Sequence, residues 1–181
     1  MKPKIPQVAS DKVQSRDCFQ TPDYATRLLI PFIPGGIETI WEPACGQGKI
    51  CDVLELAGYR VAGSDLANGF DFFETCPWGT DAIITNPPFS LKQKFYDRCR
   101  SFNTPFALLI PADYSAWIIQ AVRDGAEKII PTRRIDYITP NGNQGKTSCS
   151  QFHSMWLTWG FRIGTSETFA DLSLEQKRND I

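Results

Sequence analysis

The sequence has no run of apolar residues approaching the ~20 that a membrane-spanning helix needs. Its first stretch, Met1 to Asp17, is polar and lacks the hydrophobic core of a secretion signal. A cytoplasmic protein is expected. There is a single histidine, His153, and the six cysteines form no Cys-x-x-Cys pair. A zinc site is therefore not expected, and neither is any other metal. Six thiols without an export signal read as reduced packing residues, not as a disulfide framework. Charge of either sign is not in excess: 19 Lys and Arg face 20 Asp and Glu, for a net charge of -1. That balance excludes a simple polycationic nucleic-acid binder, though not a locally basic face. No Gly-x-Gly-x-x-Gly and no P-loop signature occurs, so a phosphate cradle is not the natural reading. Repeats and low-complexity tracts are absent. The 181 residues accommodate one full-sized domain and little more.

What is present is an alternation of strands and helices. Residues 1–17 read as a flexible polar arm. Thr21-Pro22-Asp23 opens an apolar-periodic run from Tyr24 to Phe32, with Thr21 as N-cap and Pro22 in the first helical position. Strands are expected over 37–42, 60–65, 81–85, 106–110 and 128–131, with helices over 49–57, 91–102 and 115–123 between them. A last, aromatic-rich strand is expected over 151–161. Residues 136–150 carry Pro, Asn and Gly turn signals and read as a long loop. Residues 164–181 read as a polar tail that admits a short helix. The catalytic unit is thus expected over 18–163. Such alternation predicts an α/β fold with an open, largely parallel sheet. Ligands of these sheets bind beyond the carboxyl ends of the strands, at the switch point.

Three motifs fall at such strand ends. Glu42-Pro43-Ala44-Cys45-Gly46-Gln47-Gly48 links a strand to a helix, and its two glycines let backbone approach a ligand closely. About 17 residues further on, Asp65 ends the next strand, where a carboxylate can accept hydrogen bonds from both hydroxyls of a ribose. A nucleoside-like ligand is implied. Asn86-Pro87-Pro88-Phe89 follows the apolar strand 81–85. Its prolines remove two N–H donors, and the Asn86 side chain adds an acceptor. Acceptors beside an aromatic ring suit a planar ligand that carries an amino group.

With these motifs the chain resembles the class I S-adenosylmethionine-dependent methyltransferases, and among them the DNA methyltransferases of the adenine-N6 type. Phe19-Gln20-Thr21-Pro22 is similar to that family's N-terminal cofactor motif. Glu42 to Gly48 is similar to its methionine-binding loop. Asp65 matches the ribose position, and Asp71-Phe72-Phe73 resembles the acidic-aromatic motif near the cofactor's adenine. Asn86 to Phe89 matches the catalytic tetrad. The resemblance spans roughly residues 18–162. It implies a Rossmann-like fold with a mostly parallel seven-stranded sheet and helices on both faces. S-adenosylmethionine would be held by Phe19, Thr21 and Pro22, by Glu42, Pro43, Ala44, Gly46 and Gly48, and by Asp65, Leu66, Asp71 and Phe72. Asn86, Pro87, Pro88 and Phe89 would act on the N6 amino group of an adenine flipped out of double-stranded DNA. Release-factor glutamine methyltransferases carry a very similar tetrad. RNA adenine, a protein glutamine and a non-catalytic methyltransferase-like subunit therefore stay open.

No recognition domain fits between the motifs, so the loop 136–150 is the candidate nucleic-acid contact. Asn141, Asn143 and Lys146 lie in it, and Arg133 and Arg134 precede it. A homodimer or a specificity partner would supply the remaining recognition. Lys92, Lys94, Arg98 and Arg100 read as an ordinary solvated helix face. His153, Trp41, Trp156 and Trp159 read as structural, with the last two on opposite sides of one strand. Tyr114 is a candidate for lining the target pocket.

Overall fold

A computed structural model describes residues 19–76, 79–139, 142–144 and 152–178. The elements follow in chain order: α1 (Asp23–Arg27), β1 (Thr39–Glu42), α2 (Lys49–Leu56), β2 (Arg60–Gly63), β3 (Ala82–Thr85), α3 (Lys92–Ser101), β4 (Phe106–Pro111), α4 (Ala116–Arg123), β5 (Glu127–Pro131), β6 (Ser154–Trp159), β7 (Glu167–Ala170) and α5 (Leu174–Arg178). They build a seven-stranded sheet in the order β2-β1-β3-β4-β6-β5-β7. All neighbours pair in parallel except β6, which is antiparallel to both β4 and β5. This is the Rossmann-like α/β architecture expected.

Alternation along the strands sends side chains to two cores, one on each face. In β4, Ala107 and Leu109 join Tyr24, Leu54, Ile84 and Trp156 on the face covered by α1 and α2. Phe106, Leu108 and Ile110 join Ile83, Phe95 and Ile118 on the face covered by α3 and α4. Trp156 and Trp159 take opposite faces, as their spacing predicts. The indole of Trp156 donates to the Ala25 carbonyl and so fixes α1 to the sheet.

From β1 the chain runs to β2 on one side and then returns to β3 on the other. The order reverses there, and the carboxyl ends of β1, β2 and β3 surround the switch point. The glycine loop after β1, Asp65 after β2 and the tetrad after β3 lie beside it.

Four expectations change. The helix expected from Tyr24 to Phe32 ends at Arg27, and a 3-10 turn takes over at Ile30–Phe32. Pro31, lacking an N–H, cannot extend the α-helical ladder. The cap position is Pro22, not Thr21. The last-strand region 151–161 yields a shorter strand inserted antiparallel between β4 and β5, which a run of aromatics cannot reveal. The polar stretch after residue 163 is no mere tail: β7 pairs along β5, and Ala170 and Leu172 are buried. A four-residue strand that opens on Glu-Thr offers too little hydrophobic pattern to be recognised. The sheet thus extends past residue 163. The expected arm over residues 1–17 lies outside the described residues.

Ending the chain at Ile163 is predicted to lower stability by at least about 2 kcal/mol, through loss of β7 and exposure of the β5 edge. Thermal melting of the shortened chain checks this. An unchanged midpoint would show that β7 is dispensable.

Candidate functional site

β1 ends on Glu42, whose side chain is 0% exposed. Its Oε1 accepts hydrogen bonds from the Thr85 hydroxyl and, at 3.2 Å, from the Ala44 amide. Oε2 is buried without a partner among the described residues. Burial pushes the Glu42 carboxyl up to about 8. The Thr85 and Ala44 hydrogen bonds pull it back, and the charge of Asp65 adds to the rise. Thr85 closes β3 and immediately precedes the tetrad. The Glu42–Thr85 bond therefore ties the start of the glycine loop to the start of the tetrad.

The loop itself turns through Gly46 at φ 50° and Gly48 at φ 81°, conformations that favour glycine. A Cβ on Gly46 would sit 2.9 Å from Gln20 Oε1. The Gly46 amide donates to Asp65 Oδ2 at 2.9 Å, and the Ala67 amide donates to Asp65 Oδ1 at 2.8 Å. Each carboxylate oxygen keeps a further lone pair to offer. Leu66, next in the chain, is exposed. Pro43 and Ala44 lead into the loop, and Gly48 occupies the N-cap of α2. Cys45 and Cys51 flank it, and burial pushes both thiols up, Cys51 to about 12. Both stay protonated and make poor nucleophiles.

Asp71 Oδ1 accepts from the Phe73 amide at 2.8 Å and so shapes a turn. Phe72 is buried and stacks on Phe95 at 4.3 Å, with Trp41 beside it. Its ring serves the core, whereas its neighbour Phe73 is partly exposed.

In the tetrad, Asn86 Nδ2 donates to Thr21 Oγ1 at 3.0 Å, and Asn86 Oδ1 is buried without a partner among the described residues. Pro87 and Pro88 lead into a 3-10 turn, Phe89–Leu91. Phe89 meets Tyr137 and Phe152 edge to face, at 5.8 and 5.3 Å between centroids. Phe19 packs on the α1-side core. Gln20 Oε1 accepts from the Gln47 amide at 3.0 Å, and Gln20 pairs through its backbone with Ile138. The structure thus gathers Phe19, Thr21, Pro22, the glycine loop, Asp65 and the tetrad at one edge of the sheet.

The candidate nucleic-acid residues are less concentrated. Arg133 and Arg134 are exposed beyond the carboxyl end of β5. Asn143 is exposed, and its amide donates to Thr139 Oγ1. Asn141 and Lys146 lie outside the described residues. On α3, Arg98 covers the ring of Phe102 and Arg100 covers Trp159, so both stack on their own chain. His153 contacts the Pro131 carbonyl, in keeping with a structural role. Tyr114 is exposed, with Lys128 over its ring at 5.1 Å.

Several site residues escaped the sequence. Gln20 was visible only as a letter inside a motif, and Thr85 only as the last residue of an apolar strand. Lys92 pairs with Asp113, joining the start of α3 to the loop after β4. Partial burial opposes the Asp113 charge, but hydrogen bonds from Lys92 and Ser115 hold its carboxyl below the usual range. No local sequence signal announces that pair.

No family model matches the sequence, and no curated protein matches it. Solved structures do match. One is the methyltransferase subunit of a type I restriction-modification system from Streptococcus thermophilus. The TM-score is 0.56 at 12% identity, over 83% of this chain and 46% of that one. The chain therefore spans less than half the length of that protein. Another is a release factor-specific protein-(glutamine-N5) methyltransferase from Alicyclobacillus acidocaldarius, with a TM-score of 0.40 at 16% identity, over 87% of this chain and 99% of that one. The fold of this protein is that of the Rossmann-like methyltransferases.

The Glu42 environment has a measurable consequence. Its carboxyl is raised in the folded state, so the stability it contributes is complete in acid and is lost as pH rises towards about 8. Urea midpoints should fall between about pH 5 and pH 8, with Glu42 supplying up to about 1.4 kcal/mol per pH unit. Glu42→Gln should flatten that slope. An identical slope in wild type and Glu42→Gln would refute the assignment.

Proposed function

We propose that the protein is an S-adenosylmethionine-dependent methyltransferase that methylates the N6 amino group of adenine in double-stranded DNA. The observation that carries this reading is Asn86 Oδ1, a buried acceptor without a partner at the switch point, aligned with a glycine loop and a ribose-type carboxylate. Buried polar groups are ordinarily paired, so an unpaired acceptor suits a ligand that brings an N–H donor. The target's amino group is such a donor. Glu42 Oε2, also buried without a partner among the described residues, lies at the head of that loop, and a bound ammonium would favour ionisation of that carboxyl.

The residues fit the cofactor. Gly46 and Gly48 allow close approach, Asp65 can take the ribose hydroxyls, and the exposed Leu66 can lie against a base. When bound, the cofactor supplies an electrophilic methyl group. The chain does the rest by placement and electrostatics. Adenine N6 is a weak nucleophile because its lone pair is delocalised into the ring. Hydrogen bonds from the amino group to Asn86 Oδ1 and the Pro87 carbonyl would favour a pyramidal nitrogen and localise that pair. Phe89 would stack on the flipped base and recover about 1–3 kcal/mol of the cost of unstacking it. Arg133, Arg134 and Asn143 would contact the DNA, with Asn141 and Lys146 nearby in sequence. A specificity subunit or a second copy of the chain would complete recognition.

Two substitutions separate the roles. Asn86→Ala should lower transfer by at least about 100-fold while leaving cofactor affinity within about twofold. Asp65→Ala should weaken cofactor binding first, by about 10-fold or more. Calorimetry together with transfer rates checks both, and loss of cofactor affinity in Asn86→Ala would reverse the assignment. Radiolabelled cofactor offered to DNA, RNA and protein in parallel should label DNA. Label in protein alone would overturn the DNA reading, and no transfer at all would favour a non-catalytic subunit. Replacing Arg133 and Arg134 by Ala should weaken DNA binding and flatten its salt dependence without changing turnover at saturation.

A further inference from the structure

At the head of the glycine loop, Glu42 is a carboxyl without a countercharge. It is fully buried, and the Ala44 amide and the Thr85 hydroxyl both serve Oε1. Oε2 has no partner among the described residues. Half of an ionised carboxylate's charge would therefore rest on an oxygen that no donor meets. The titratable groups around it offer no relief. Asp65, after β2, adds negative charge. Burial pushes up the thiols of Cys45 in the loop, Cys51 on α2 and Cys99 on α3, and the Glu42 charge adds to each rise. Asp52 and Glu55 are further anions on α2, beside Cys51. Arg98 on α3 is turned to the Thr75 carbonyl and the Phe102 ring. Among the described residues, no hydrogen bond or ion pair joins Glu42 to a cation.

We infer that Glu42 is neutral in the free protein and gives up its proton when the cofactor's ammonium arrives, so that each cofactor bound releases about one proton. The inference deepens the methyltransferase reading: it rests on the cofactor assignment and is indifferent to the acceptor.

An ammonium within about 4–6 Å favours the ionised carboxyl. It brings the countercharge and the N–H donors that Oε2 lacks. The proton leaves to solvent, and the carboxylate that remains keeps its bonds from Ala44 and Thr85. Below the free carboxyl's value of about 8, ionising Glu42 consumes part of the binding energy, and that cost shrinks as pH rises. Cofactor affinity therefore climbs from acid towards neutrality, while the stability that Glu42 gives the free protein falls. Acidification would discharge the cofactor without unfolding the chain.

The test is calorimetric titration of the full-length protein with S-adenosylmethionine at about pH 6 and about pH 7, below the range near 7.7–8.0 in which α-amino groups lose their own proton. Buffers of different ionisation enthalpy count the protons released. Wild type should release about one proton and bind about 5- to 10-fold more tightly at the higher pH. S-adenosylhomocysteine should behave alike, but its analogue with hydrogen in place of the amino group should release none. Glu42→Gln should bind with no pH dependence and no release. Infrared spectra identify the group that loses the proton. The C=O stretch of a protonated carboxyl should be present in free wild type, absent in Glu42→Gln and lost when cofactor binds. The inference is overturned if wild type binds cofactor without releasing a proton, or if that band persists in the complex. Should Glu42→Gln fail to fold, the wild-type comparison of the ligands and the band still decide. Absence of cofactor binding at either pH would overturn the methyltransferase reading as well, whereas binding without proton release overturns this inference alone.

Discussion

Between the carboxyl ends of β1 and β3, the Thr85 hydroxyl donates to a carboxyl that has no contact with solvent. Burying a carboxyl is costly unless hydrogen bonds and protonation compensate. Here Thr85 and the Ala44 amide supply the first, and the raised Glu42 pKa supplies the second. The bond joins two strands that belong to opposite arms of the sheet. The glycine loop begins one residue after Glu42, and the tetrad begins one residue after Thr85. Loosening this bond would let the two motifs drift apart. It leaves Glu42 Oε2 and Asn86 Oδ1 as buried oxygens without a partner among the described residues. The other partnerless buried atoms among the described residues, such as Thr26 Oγ1, Arg98 Nε and Glu127 Oε2, are scattered elsewhere in the chain.

The segment 19–24 braces that edge from outside the sheet. Gln20 holds the glycine loop and Ile138, Thr21 holds Asn86, and the Tyr24 hydroxyl accepts from the Asp136 amide at 2.7 Å. Residues around 136–138 are thereby tied to the same short stretch as the glycine loop and the tetrad. α5 adds a clamp from the far side, where Lys177 pairs with Asp136 at 2.5 Å and donates to the Arg134 carbonyl. Whatever Arg133, Arg134 and the following loop contact is therefore mechanically close to the site.

The central parallel strands were legible because each is a short apolar run bounded by glycine, proline or a helical period. The glycine loop, Asp65 and the tetrad fall at strands' carboxyl ends, so placing the strands also placed most of the site. The rest was hidden for definite reasons. β6 enters the sheet antiparallel, a fact of topology with no local signal. β7 is too short and too polar at its start to show a pattern. Thr21 looked like a helix cap because Thr-Pro-Asp is a good cap sequence, yet its hydroxyl serves a residue 65 positions away. Phe72 and Phe73 are indistinguishable in sequence, and only the packing of Phe72 on Phe95 sorts core ring from exposed ring. The arginines of α3 read as a solvated face, yet their guanidinium groups stack on Phe102 and Trp159. For such pairs, long-range contact and not residue type decides the role.

The central claim is that Asn86 Oδ1 receives an exocyclic amino group of a DNA base. Its most direct test is mass spectrometry of nucleosides from duplex DNA incubated with the protein and methyl-labelled S-adenosylmethionine. The account predicts that the label appears as N6-methyladenine and disappears in Asn86→Ala. Label on cytosine C5, which carries no amino hydrogen for Oδ1 to accept, would contradict it.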